Sequence, residues 1–215
     1  MKKIISFSLW GDKPRYINGA IWNAENAKTF YPGWTCKFYY DNTVPVDAIN
    51  KIIATGAETA LMDPSIKSLG LYWRFNPLID DPQIERFIVR DTDSKFNKRE
   101  SDMVKEWIKS NKSFHIIRDN KQHDVPIPGG TWGSKSGTVP DYESRFKFWS
   151  HIALRKNANS FYGTDQLFLR RLIWPIAISD HIAHVLANEP KLKITGNEIE
   201  VSPPSDGHFV GMPYL

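Results

Sequence analysis

The chain has 215 residues, 41% of them hydrophobic and 13% aromatic, which suits a folded globule of one domain, residues 1–215, and excludes a disordered chain. Its 28 basic and 24 acidic side chains leave a net charge of +4, a mild and dispersed excess that suits a small anionic ligand but supplies no basic arm for nucleic acid. One cysteine, Cys36, excludes an internal disulfide framework and a cysteine-based zinc site.

In chain order, KIISFSLWG (3–11) predicts a first strand ended by Gly11. The opening MKKIISFSLWGDK lacks the small-residue cleavage site of a signal peptide, and no stretch approaches the roughly 20 apolar residues of a membrane span. The expectation is therefore a soluble, cytoplasmic protein. Residues 16–32 carry Ile17, Ile21, Ala24 and Ala27 at helical spacing, stopped by Pro32 and Gly33. WTCKFYYDN (34–42) predicts a second strand that buries Cys36. A helix over 46–56 and a short strand over 57–62 follow. Residues 67–79 predict a helix up to Pro77, residues 84–92 a strand, 101–110 a helix and 113–119 a strand. Strand and helix alternate with short connections, the order of an α/β fold with a mainly parallel sheet flanked by helices. Residues 120–143 are rich in Pro and Gly and predict a long loop, either functional or a cover for the sheet. YGTDQLFL opens a helix at residues 164–166, with Leu167, Phe168, Leu172 and Ile173 toward the core.

The strand FIVR runs directly into Asp91 and Asp93, one residue apart. Two like charges at the end of a buried strand need solvent, a basic partner or a cation to offset them. In parallel sheets, ligands collect beyond such strand ends. Three chemistries use this pair. One is chelation of a divalent metal that neutralises a diphosphate leaving group. Another is aspartyl phosphotransfer, disfavoured by Lys95 and by the mid-chain position. The last is a solvated turn, with Asp93 capping the next helix or Asp91 paired with Arg90 or Lys95.

RFIVRDTDSKFNKRE, VKEWIKSNKSFHIIRD, PIPGGTWGSK, YPGWTCKFYYDN and YGTDQLFLRRLIWP together resemble a small family of GT-A-fold glycosyltransferases with viral and bacterial members. The resemblance runs, with gaps, from the first strand to about residue 175. It implies a GT-A-like domain, a nucleoside-diphosphate-sugar donor (UDP before GDP), Mn²⁺ or Mg²⁺, and a glycan or glycoprotein acceptor whose hydroxyl is glycosylated. By the same resemblance Asp93 binds the metal, and Asp91 binds the ribose or reaches the metal through water. The loop after the first strand holds the nucleotide, with Ser8, Leu9 and Tyr16 as candidates.

Arg74 reaches the diphosphate or the donor sugar, for which its planar fork is suited, or else pairs with Asp80 or Asp81. Gly129 and Gly130 allow backbone close to a ligand, and Trp132 offers a face to a sugar or packs in the core. Asp165 is either the base that deprotonates the acceptor or a first-turn carboxylate on a helix dipole. His208 completes the metal shell or lies exposed near the C-terminus. His181 and His184, three apart, suit a zinc site only if they share a helix. The expected enzyme is an inverting, metal-dependent glycosyltransferase. A sugar-nucleotide nucleotidyltransferase and a non-catalytic glycan- or nucleotide-binding module are the alternatives.

Overall fold

The structure, a computed structural model, describes residues 1–63, 70–79, 81–156 and 163–213, with the backbone alone over 152–156. The expectations for residues 67–69, Asp80 and Tyr162 lie outside these.

Eight strands form one sheet in the order β3-β2-β1-β4-β6-β5-β7-β8. They are β1 (Lys2–Leu9), β2 (Thr35–Tyr40), β3 (Glu58–Leu61), β4 (Ile84–Val89), β5 (Phe114–Arg118), β6 (Trp132–Lys135), β7 (His181–Leu186) and β8 (Ile199–Val201). All neighbours are parallel except β6, which runs antiparallel to both β4 and β5. The α/β architecture and mainly parallel sheet are those expected from the alternating pattern.

Side chains alternate across the strands, as the two-residue period demands. Ile5, Phe7 and Leu9 of β1 and Ile88 of β4 pack with α1 (Pro14–Phe30), α2 (Val46–Ala54) and α4 (Lys98–Ser110). Ile4 of β1 and Phe87 and Val89 of β4 face the other way. There they pack against Tyr72 of the short helix α3 (Gly70–Trp73), Tyr142 and Trp149 of α5 (Tyr142–Lys156), and Phe168 of α6 (Thr164–Phe168). Both faces of the central strands are thus covered, which explains why they read as near-continuous apolar runs.

Three expectations change, and one open alternative is settled. The long loop contains β6, where a Cβ on Gly133 would come within 2.6 Å of the Phe87 carbonyl oxygen and 3.2 Å of the Trp107 ring. A residue typical of loops is there to admit a neighbouring strand. The helix expected up to Pro77 is one turn, α3, followed by a 3-10 turn at Asn76–Leu78. His181 and His184 lie on β7, not on a helix, so three-residue spacing puts them on opposite faces. His184 instead bonds His115 (3.1 Å) and Glu106 (3.0 Å). Finally, α6 leads into a π-helical stretch at Leu169–Ile173 before α7 (Trp174–Ala177). The wider turn buries Phe168, Leu169 and Ile173, with Leu172 half-buried against the same core, as expected, while Leu167 is exposed.

No helix among the described residues is long and apolar enough to cross a membrane. Cys36 is buried, and burial pushes its thiol pKa up.

Candidate active site

The strand order reverses between β1 and β4: the chain continues from β1 toward β2 and β3 on one side, while β4 leads to the other. Loops leaving two such neighbours diverge and open a crevice at their carboxyl ends. A cleft of about 520 Å³ lies there, lined by the loop and first turn after β1 (Trp10 to Tyr16), by Arg74, and by Asp91, Thr92 and Asp93 after β4. The expected residues Ser8, Leu9, Tyr16, Arg74, Asp91 and Asp93 all line it.

Arg74 sits at its floor, 6% exposed. Two serines of β1 fix its backbone: the Arg74 N–H donates to Ser8 Oγ (2.9 Å), and Ser6 Oγ donates to the Arg74 carbonyl (2.6 Å). One arm of the guanidinium bonds Asp91 Oδ1 and the other bonds Asp165 Oδ2 at 2.7 Å. Burial works against this cation, but the two carboxylates hold its pKa above the ordinary value. Its Nε is buried with no partner among the described residues. Gly129 and Gly130 lie against this cluster. A Cβ on Gly129 would come within 2.7 Å of Asp165 Oδ2 and 2.9 Å of the Arg74 guanidinium, and one on Gly130 would overlap the Asp91 carboxylate. The two glycines are thus explained by contact with charged side chains, whether or not a ligand also approaches them.

Asp93 has a different basic partner. Arg15, in the first turn of α1, donates to Asp93 Oδ2 through Nε (2.8 Å) and through a terminal nitrogen. The pairing holds the Arg15 pKa above its ordinary value. Basic side chains, then, offset the two strand-end carboxylates, and neither is Arg90 or Lys95. Arg90 is buried in an ion pair with Glu100, which also accepts from the Tyr31 hydroxyl. The cap of α4 is Asn97, whose side chain accepts from the Glu100 N–H at 2.8 Å, and not Asp93.

The turn itself is held from α1. Asn23, buried, donates to the carbonyls of Ser94 (2.8 Å) and Thr92 (3.4 Å). Gly19, one turn earlier, leaves room for Thr92. Sequence reading missed Arg15, Gly19 and Asn23. Their spacing of four puts them in one stripe along a helix that was otherwise recognised by its apolar positions, and that stripe was the available signal.

Two expected residues lie away from the cleft, and a third lies behind its floor. Trp132 is 1% exposed, with its ring edge-on to Phe75 and Phe87, so it is a core residue and presents no face to a sugar. His208 is exposed, its Nδ1 3.5 Å from Asp206, and it does not line the cleft. Asp91, Asp93 and His208 therefore do not converge, and no group of three or more His, Cys, Asp or Glu suited to a metal occurs among the described residues. Asp165 is buried behind Arg74, in the first turn of α6 as one of its two readings expected, and it makes no capping bond: the residue before α6 is Gly163 at φ 76°, with no side-chain cap.

The donor set still fits a divalent cation of the kind that takes one or two carboxylates and completes its shell with phosphate oxygens and water. Asp91 and Asp93 each spend one oxygen on an arginine. Asp91 Oδ2 and Asp93 Oδ1 carry no hydrogen bond among the described residues.

No protein-family model and no curated protein sequence matches the chain. Among solved structures, mouse xyloside xylosyltransferase 1 in its apo form is similar over 86% of this chain and 83% of that one, at 11% identity and a TM-score of 0.45.

Proposed function

We propose that this protein is a metal-dependent glycosyltransferase that takes a sugar from a nucleoside diphosphate, UDP before GDP, and passes it to a hydroxyl of a glycan or glycoprotein acceptor. The observation that carries the reading is Arg74, a buried guanidinium at the floor of the switch-point cleft whose two arms rest on Asp91 and Asp165. A planar cation preorganised there suits the oxygens of a departing diphosphate. The mouth of the cleft is lined by Trp10, 43% exposed and edge-on to Trp73. It can take the sugar-facing role that Trp132, in the core, does not.

Asp91 and Asp93 are the residues that would hold Mn²⁺ or Mg²⁺, and such an ion supplies positive charge to the leaving diphosphate. The chain's own residues do the rest. Ser8 and Ser6 fix Arg74 in place, and Asp165 orients its fork. Asn23 and Gly19 set the height of the Asp-Thr-Asp turn. Lys13 and the N-terminal end of α1, which lacks a side-chain cap, present positive charge at the cleft, a favourable setting for phosphate, although Pro14 has no N–H and the Tyr16 N–H already donates to the Lys13 carbonyl at 3.0 Å. Attack of the acceptor hydroxyl in line with the leaving diphosphate would form the new glycosidic bond as the anomeric C–O bond to the diphosphate breaks, inverting the anomeric centre, with the hydroxyl proton passing to a carboxylate base or to the departing diphosphate.

The test is a melting experiment over a panel of nucleotides with and without Mn²⁺. A ligand at about 100 times its dissociation constant adds roughly 2.7 kcal/mol, a shift of several degrees for a domain of this size. UDP should stabilise the protein only with metal. No shift with any nucleoside diphosphate would sink the reading, and binding without donor hydrolysis or transfer would make the protein a binding module.

A further inference from the structure

Arg15 is the residue of the cleft with two competing uses. It lies on the first turn of α1, lines the cleft and is 45% exposed at its side chain, while the carboxylate that it grips, Asp93, is 11% exposed. Its guanidinium also lies over the Tyr16 ring, 5.2 Å from the centroid. We propose that Arg15 is a mobile counter-cation of the site: it neutralises Asp93 until a divalent cation takes that carboxylate, and it then turns to the diphosphate of the nucleotide. This rests on the glycosyltransferase reading only for the nature of the anion.

A guanidinium on Oδ2 of Asp93 and a divalent ion on its Oδ1 repel each other across a few ångströms, so each weakens the other's hold on the carboxylate. The ion that binds Asp93 through its unbonded Oδ1 weakens the hold of Arg15 on Oδ2. Arg74 has no such freedom. Its side chain is only 7% exposed and is tied to Asp165 as well as Asp91. Arg15 has a single carboxylate partner among the described residues and an exposed stem. Arg15 and Lys13 both line the cleft together with Asp91 and Asp93, so an anion bound to a metal at the carboxylates would lie within reach of a displaced Arg15. Metal and diphosphate would therefore bind with positive coupling, each removing an obstacle for the other.

Two effects of opposite sign follow from one substitution. Arg15→Gln removes the competing cation. Mn²⁺ alone, titrated calorimetrically into the protein without nucleotide, should bind roughly three- to tenfold more tightly, the range set by losing a partly exposed ion pair. UDP titrated at saturating Mn²⁺ should bind roughly tenfold more weakly, as expected for one charge-assisted contact to phosphate. Arg15→Lys, which keeps the charge, should stay near wild type for Mn²⁺ alone and lie between the two for UDP. The exposure of Arg15 makes both variants safe for folding. If Arg15→Gln binds Mn²⁺ alone no more tightly than wild type, or if UDP affinity is unchanged, the counter-cation role is wrong while the glycosyltransferase reading stands. If wild type binds neither Mn²⁺ nor UDP, both fall together.

Discussion

Gly19 on α1 and the carbonyl of Thr92 between the two aspartates touch so closely that a Cβ at residue 19 would overlap the Thr92 oxygen and come within 3.3 Å of Asp93 Cα. A glycine inside a helix costs about 0.5–1 kcal/mol relative to alanine. At a neutral site, Gly19→Ala would therefore stabilise the protein. Here it should force the Asp-Thr-Asp turn away from α1 and weaken Mn²⁺-dependent UDP binding by tenfold or more, with no rise in melting temperature. A stabilised variant with wild-type binding would show that the contact does not set the turn.

Asn23 supports the same turn by donation. Asn23→Asp keeps the shape but sets a carboxylate against the carbonyl oxygens of Thr92 and Ser94. Leaving buried acceptors unpaired and adding a charge among them should cost about 2 kcal/mol or more. Asn23→Ala removes the bonds without the repulsion and should cost less. Urea unfolding of the two variants measures the difference, and an Asp variant as stable as wild type would remove Asn23 from the support of the site.

These two residues mark the limit of what the sequence shows. The strands β1 and β4 were legible as short runs rich in apolar residues, Ile4, Ile5, Phe7 and Leu9 in one and Phe87, Ile88 and Val89 in the other, and the strand-end carboxylates were legible because a charge after such a run is conspicuous. The place of the cleft, beyond the carboxyl end of β4, is therefore legible in the sequence. Arg15 and Asn23 looked like ordinary polar residues of an amphipathic helix, and only the packing of α1 over the β4 turn gives them partners 78 and 71 residues away in sequence. The strand β6 was hidden for a related reason. Its pairing with β4 and β5 is non-local, and Gly133, which the close approach requires, is a loop signal when read locally.

Trp132 tests that distinction between core and site directly. Packed among Phe75, Phe87 and the rest of the inner cluster, it should cost about 3–5 kcal/mol when replaced by Ala. Trp132→Phe should cost less and leave UDP affinity unchanged. A Phe variant with native stability but weakened donor binding would return Trp132 to the ligand.

Away from the cleft, Arg118 and Glu198 form a buried pair at 2.9 Å. Burial opposes the charge on Glu198, but the N–H groups of Thr195 and Ile194, together with Arg118, hold its carboxyl down to about 2 from an ordinary 4.5. A depressed carboxyl stabilises the fold above its unfolded pKa and loses that contribution as protons bind to the folded state. Stability from this pair should be complete above about pH 4.5 and fall as the pH drops toward 2. Glu198→Gln should be less stable than wild type at neutral pH, and the gap between the two should narrow across that window in urea unfolding. A constant gap would mean that Glu198 does not titrate with folding.

Asp165 decides between two accounts of the chemistry. A general base must meet the acceptor hydroxyl, and its loss lowers turnover by roughly 10²- to 10⁴-fold with little change in donor affinity. The geometry favours another role. Asp165 is buried behind Arg74, bonds its guanidinium at 2.7 Å, and is shielded by Gly129. Asp165→Asn preserves the shape but halves the negative charge around a buried cation whose other partner, Asp91, is partly exposed. Arg74 should then shift toward Asp91, so that UDP affinity and turnover fall together and the protein loses stability. Arg74→Lys should reproduce the binding defect, because an ammonium cannot span both carboxylates as the fork does. Titrations of UDP with Mn²⁺ and single-turnover rates on the two variants separate the accounts. Matched losses in both identify Asp165 as the residue that aims Arg74. An Asn variant that binds UDP normally yet fails to transfer would make Asp165 the base, and would require the acceptor to reach it past Gly129.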